Sequence, residues 1–107
     1  MQDTDWTTIA RLVEWLDKES STSLSPAESR LLRILKITEE AGEVAEAVHG
    51  AMGSNPRKGA SHSWDDVQSE LVDVILTGMV ALYTITPDAP KIFAERIEHI
   101  AERSLAK

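Results

Sequence analysis

The stretch from Leu71 to Leu82 is apolar at almost every position, yet Asp73 sits inside it and Glu70 directly precedes it. At the helical repeat, Val67, Val74, Val80 and Ala81 crowd the hemisphere that Glu70 and Asp73 also occupy, so this segment has no clean polar side to turn to water. A helix of that kind has to be covered by other elements. An ionised carboxylate within it is costly unless a cation, a proton or a metal ion compensates the charge. The segment therefore constrains both the fold and the chemistry.

The rest of the chain divides into helices around it. The first spans roughly Thr4 to Lys18, with Ile9, Leu12, Val13 and Leu16 at helical spacing and Trp6 and Trp15 flanking. Glu19 to Leu24 is a polar connector. Ser25-Pro26-Ala27-Glu28 then combines a capping serine, a proline suited to the first turn and a glutamate placed to complete a capping box. The second helix is expected from Pro26 to about Ala51, ahead of a loop around Gly53 to Gly59. Ser63 is placed to cap the third, with Asp65 and Asp66 in its first turn, and the helix should end near Tyr83. Thr86-Pro87-Asp88-Ala89-Pro90 breaks the chain and offers two caps for a fourth helix ending around Ser104. With no strand-like alternation of useful length, the class is all-α: a single four-helix bundle-type domain over residues 1–107. A core built from so short a chain is small, and pairing with a second copy is expected to complete it.

Eighteen acidic against eleven basic residues give a net charge of −7. That balance argues against nucleic-acid polymers and anionic membranes as partners, both of which attract basic patches. A small phosphorylated substrate stays open, because bound metal ions reverse the local sign. The absence of cysteine rules out disulfides, thiolate zinc sites, iron–sulfur clusters and a cysteine nucleophile. The acidic, polar opening Met1 to Asp5 is unlike a secretory leader. The longest apolar run, about twelve residues, is short of the roughly twenty that span a bilayer. A cytoplasmic protein is expected.

Two acidic clusters carry the candidate chemistry. Glu39, Glu40 and Glu43 fall on the second helix, Glu70 and Asp73 on the third, and residues three or four apart are neighbours on a helix surface. On the second helix Glu39, Glu43 and Glu46 share an arc with Lys36, while Ile34, Ile37, Ala41, Val44, Ala45 and Val48 lie opposite. Such an amphipathic helix could simply solvate its acidic side; the third helix has no such option. Brought face to face, the carboxylates make an oxygen-rich pocket for a hard divalent cation, in the manner of carboxylate sites inside helical bundles. No histidine follows at the spacing used by di-iron sites, which favours Mg²⁺, with Mn²⁺ as the alternative.

The stretch Lys36-Ile37-Thr38-Glu39-Glu40-Ala41-Gly42-Glu43-Val44-Ala45-Glu46-Ala47, paired with Glu70-Leu71-Val72-Asp73-Val74 about 27 residues after Glu43, resembles the MazG-like group of all-α nucleoside triphosphate pyrophosphohydrolases. The likeness covers roughly Leu31 to Leu82. It implies Mg²⁺-dependent hydrolysis between the α- and β-phosphates of a nucleoside triphosphate, giving a monophosphate and pyrophosphate, and a role in clearing surplus or non-standard nucleotides. It also implies that Glu40, Glu43, Glu70 and Asp73 are metal ligands, and that Glu39 is a further ligand or handles the attacking water. A homodimer or homotetramer is implied as well. Phosphoribosyl-ATP pyrophosphohydrolase is the nearest rival, but that family usually carries Tyr-His after its second motif, where this chain has Ile75-Leu76-Thr77. A helical module that binds metal or nucleotide without turnover is the rival from outside the enzymes.

Phosphate contacts are expected from Lys36, which a structural salt bridge would equally explain, from Arg57 and Lys58 in the glycine-bounded loop, and from Lys91 and Arg96 after the third helix. The asparagine usual in that last region is missing, with Asp88 and Ala89 near its place. Trp6, Trp15 and Trp64 could stack on a base, although core or subunit packing is the commoner role. His49, His62 and His99 receive no catalytic role, and neither a nucleophile elbow nor a Gly-rich phosphate loop occurs.

Overall fold

The computed structural model describes residues 3–20 and 23–105; Met1, Gln2, Ser21, Thr22, Ala106 and Lys107, and with them part of the expected connector, lie outside the described residues. The chain forms four helices, α1 (Asp3–Glu19), α2 (Pro26–Met52), α3 (Trp64–Ile85) and α4 (Ala89–Leu105). Among the described residues there is no strand, only an isolated bridge between Asn55 and Gly59. The class is all-α, as the periodicity predicts, and the boundaries differ from expectation by a residue or two.

The helix starts follow from local chemistry. Ser25 accepts from the Glu28 N–H at 3.1 Å, and the Glu28 carboxylate accepts from the Ser25 N–H at 2.9 Å. Ser63 and Asp66 repeat this reciprocal arrangement at the head of α3. Both acids titrate below their ordinary values, chiefly because each carboxylate accepts its capping serine's backbone N–H. At its other end α2 stops on Gly53, whose φ of 62° is left-handed, with its N–H turned back to Gly50; glycine takes that conformation without a Cβ penalty. α3 runs two residues past Tyr83, to an extended Thr86 that precedes Pro87, a position where proline disfavours helix. The Asp88 N–H then bonds to the Thr86 hydroxyl and the Asp88 carbonyl takes the first bond of α4, from Ile92.

α3 is the shared element. α2 packs along one side of it, α1 along another, and α4 meets its end. The core gathers Trp6, Ile9 and Val13 of α1, Met79 of α3 and Ala89 of α4, with Val80, Leu82, Tyr83 and Phe93 packed around them. Trp6 meets Phe93 edge-on, ring centroids 5.8 Å apart, so this tryptophan is a core residue, whereas Trp15 and Trp64 are exposed. α3, at 22 residues, is long and apolar enough to cross a membrane by length and composition, more than the apolar run of about twelve within it suggests; it carries Glu70 and Asp73.

The loop 53–62 closes back on α2 at Gly50, where a Cβ would stand 2.1 Å from His62 Nδ1 and 2.7 Å from Ser61 Oγ. Only glycine permits that approach. Asn55 braces the same loop, its side-chain oxygen accepting from the Arg57 and Lys58 N–H groups.

Replacing the α3 cap should show how far the seam depends on it. Ser63→Ala is expected to cost about 1 kcal/mol, lowering the Tm by roughly 4 °C in a circular-dichroism melt, with helix content at 20 °C unchanged.

Candidate metal centre

Glu40 and Glu43 stand one turn apart on α2, and Glu70 faces them from α3. One carboxylate oxygen from each lies within 4.8 Å of the other two. Glu40 and Glu70 are half-buried in the seam and Glu43 is exposed at its edge. The partly covered side of α2 bears Arg33, Ile37, Glu40, Val44 and the buried Ala47, so Glu40 is turned inward while Glu39, Glu43 and Glu46 stay exposed.

The electrostatics of the cluster are unfavourable without a counter-charge. Burial pushes the Glu40 carboxyl above its ordinary range, and the neighbouring Glu43 carboxylate pushes it further. The Asp73 carboxylate acts in the same direction from one turn beyond Glu70. Lys36, with Nζ 3.7 Å from Glu40, opposes the rise without cancelling it. On α3, Glu70 Oε2 is buried and has no hydrogen-bond partner among the described residues. A buried carboxylate oxygen left unpaired is costly, and it lies in the group that also holds Glu40 and Glu43. Hard oxygen donors converging from two helices are the donor set that Mg²⁺ and Mn²⁺ take, and the residues fit such an ion.

The other candidate residues are distributed unevenly. Asp73 is exposed, one turn beyond Glu70 and outside the close group, but near enough for its charge to raise Glu40. Glu39 is exposed beside Glu40. Arg57 and Lys58 project from the loop with their N–H groups engaged by Asn55. Lys91 pairs with Glu95 at 3.9 Å within α4. Arg96 lies on the same helix and is exposed. His49 bonds to Ser54, and His62 to Ser61.

A residue that motif spacing did not single out stands beside the site. Arg33 is 11% exposed; its guanidinium pairs with Asp17 at 2.9 Å and donates to Thr84 at 3.1 Å and Ser20 at 3.4 Å. These bonds tie α1, α2 and α3 together. Arg33 and Lys36 also line an apolar groove of about 360 Å³, together with Leu16, Leu32, Leu76 and Val80. Because Lys36 pairs with Glu40, the groove and the acidic group are contiguous. The signal available in the sequence was the heptad step from Arg33 to Glu40.

No protein-family model matches this chain, and none of the curated proteins or solved structures compared with it matches either.

The raised Glu40 carboxyl has a testable consequence. The folded state holds its proton more tightly than the unfolded chain, so stability is fully present below the ordinary glutamate value and is lost as pH rises through the raised one. Glu40→Gln should therefore raise the metal-free Tm at pH 7 above wild type and flatten its pH dependence. Added Mg²⁺ should stabilise wild type and leave the variant unmoved, as differential scanning fluorimetry can measure.

Proposed function

We propose that the chain is a Mg²⁺-dependent nucleoside triphosphate pyrophosphohydrolase of the MazG-like kind, releasing a nucleoside monophosphate and pyrophosphate. The observation that carries this reading is the convergence of Glu40, Glu43 and Glu70 across the α2–α3 seam, with the buried Glu70 Oε2 unpartnered. Mg²⁺ there would neutralise the triphosphate and make water a better nucleophile near neutral pH.

Glu40, Glu43 and Glu70 hold the ion in this scheme, and Asp73 adds charge from its exposed position. Glu39 shares the exposed arc with Glu43 one turn away, a place from which a carboxylate can orient a water and accept its proton. The water oxygen bonds to the α-phosphorus, the bridging bond towards the β-phosphate breaks, and pyrophosphate leaves. Lys36, at the boundary between the carboxylates and the groove, is positioned to meet a phosphate oxygen. The groove beyond it is apolar, and its volume lies within the range of small-molecule sites, which suits a nucleobase. No covalent enzyme intermediate is required.

A panel of nucleoside triphosphates assayed for pyrophosphate, with and without Mg²⁺, tests the reading. Glu43→Gln and Asp73→Asn should each lower the rate at least about a hundredfold, the scale on which removing one charge-stabilising group acts, with the helical circular-dichroism signal retained. Full activity in both variants would dismiss this site. Metal and nucleotide binding in calorimetry with no pyrophosphate formed would instead support the non-catalytic module, and turnover confined to phosphoribosyl-ATP would move the assignment to that enzyme.

A further inference from the structure

A second concavity lies where the end of α1 meets the head of α2. It encloses about 380 Å³, within the range of small-molecule sites. Lys18, Arg30 and Arg33 line it, with Asp17 the only carboxylate among the described residues that do. Arg30 stands roughly 15 Å of helix before Glu40, so this cavity and the acidic group occupy different stretches of α2.

The chain carries a net charge of −7, and three cations around one carboxylate reverse that sign locally. Asp17 is already answered by Arg33, at 2.9 Å. Lys18 and Arg30 remain as the uncompensated charges. Both are exposed, and neither has an ion pair or hydrogen bond among the described residues. Lys36 and Lys91, by contrast, each pair with a glutamate one turn on. Ser20 and Thr84 direct their hydroxyl protons to the Leu16 and Val80 carbonyls, and their oxygens accept from Arg33. The Arg33 guanidinium is thereby fixed as part of the wall. Ser29 also lines the cavity, half-buried, and its hydroxyl has no partner among the described residues. An ammonium, a guanidinium and a hydroxyl are thus the groups left to meet a ligand, and all three donate.

We infer that the cavity at the head of α2 is a binding site for a phosphate-type oxyanion, held by Lys18, Arg30 and the Ser29 hydroxyl with Arg33 behind them. Ammonium and guanidinium groups bind phosphate oxygens through charge-assisted hydrogen bonds. A cationic ligand finds no matching charge there, since the one carboxylate is spent on Arg33. Ser20, Leu24, Ser29 and Arg33 line both this cavity and the apolar groove, so the two are continuous. The oxyanion is therefore either free or borne by a molecule whose apolar part lies in the groove. No metal takes part, and the inference stands independently of the catalytic reading.

Heteronuclear NMR titration of the full chain tests it, at low salt and with EDTA present to keep the carboxylates free of metal. The probes are inorganic phosphate and phenyl phosphate. Saturable shifts are expected at the amides of Lys18, Ser29 and Arg30, with affinity falling as NaCl is added. Lys18→Gln and Arg30→Gln, both at exposed positions, should each weaken binding about tenfold, the scale of one charge-assisted hydrogen bond, with the helical circular-dichroism signal retained. Arg103→Gln, on α4, should leave binding unchanged. Tighter binding of phenyl phosphate, with added shifts at Leu32 and Leu76, supports the site with the apolar part in the groove; equal affinities support it as a site for the free anion. Absence of saturable shifts with both probes in the folded wild type would overturn the inference. So would undiminished binding in the double variant Lys18→Gln/Arg30→Gln, or shifts confined to the residues around Glu40 and Glu70.

Discussion

Repulsion between carboxylates inside a helix–helix seam is the constraint on which this structure turns. Glu40, Glu43 and Glu70 occupy ground that, in an ordinary helical hairpin, would hold leucine or valine. The seam closes because α2 and α3 pack along each other with Ala47, Val67 and Ala81 buried and Val44 half-buried, and because Lys36 takes up part of the charge. What is left over, the orphaned oxygen of Glu70, is a local defect of stability that a divalent cation would relieve. A fold that accepts such a defect has its acids where a ligand can reach them and where neighbouring dipoles are held still.

The orientation of α2 links that seam to the rest of the molecule. α2 meets α3 through a mixed side that carries Glu40 together with Ile37, Val44 and Ala47, and leaves Ile34, Ala41 and Ala45 of its apolar side exposed.

Local signals made much of this legible from sequence. Ser25 with Glu28 and Ser63 with Asp66 bond to each other across three residues, so their pattern alone fixes where α2 and α3 begin. The convergence of Glu40 and Glu43 with Glu70 was readable because carboxylates one turn apart on consecutive helices share a side. Helical periodicity, however, shows only that α2 has two unlike sides, not which one meets α3; that depends on partners elsewhere in the chain or outside it. Arg33 escaped notice for a related reason, since its partners Asp17, Ser20 and Thr84 are brought together only by the tertiary fold. The exposure of Asp73 was likewise invisible, because α1 and α2 leave its side of α3 uncovered.

α3 carries the acid of the site on one stretch and Met79 of the core a few turns later. Glu70 therefore sits on the same rigid rod that the hydrophobic centre clamps, with no hinge or glycine-rich link between them. Fluctuations that would widen the gap between Glu70 and Glu40 have to tilt that rod against Trp6, Ile9 and Val13. The spacing of the three carboxylates is in this way tied to a remote packing contact, and the width of the gap between Glu70 and Glu40 is inherited from the core.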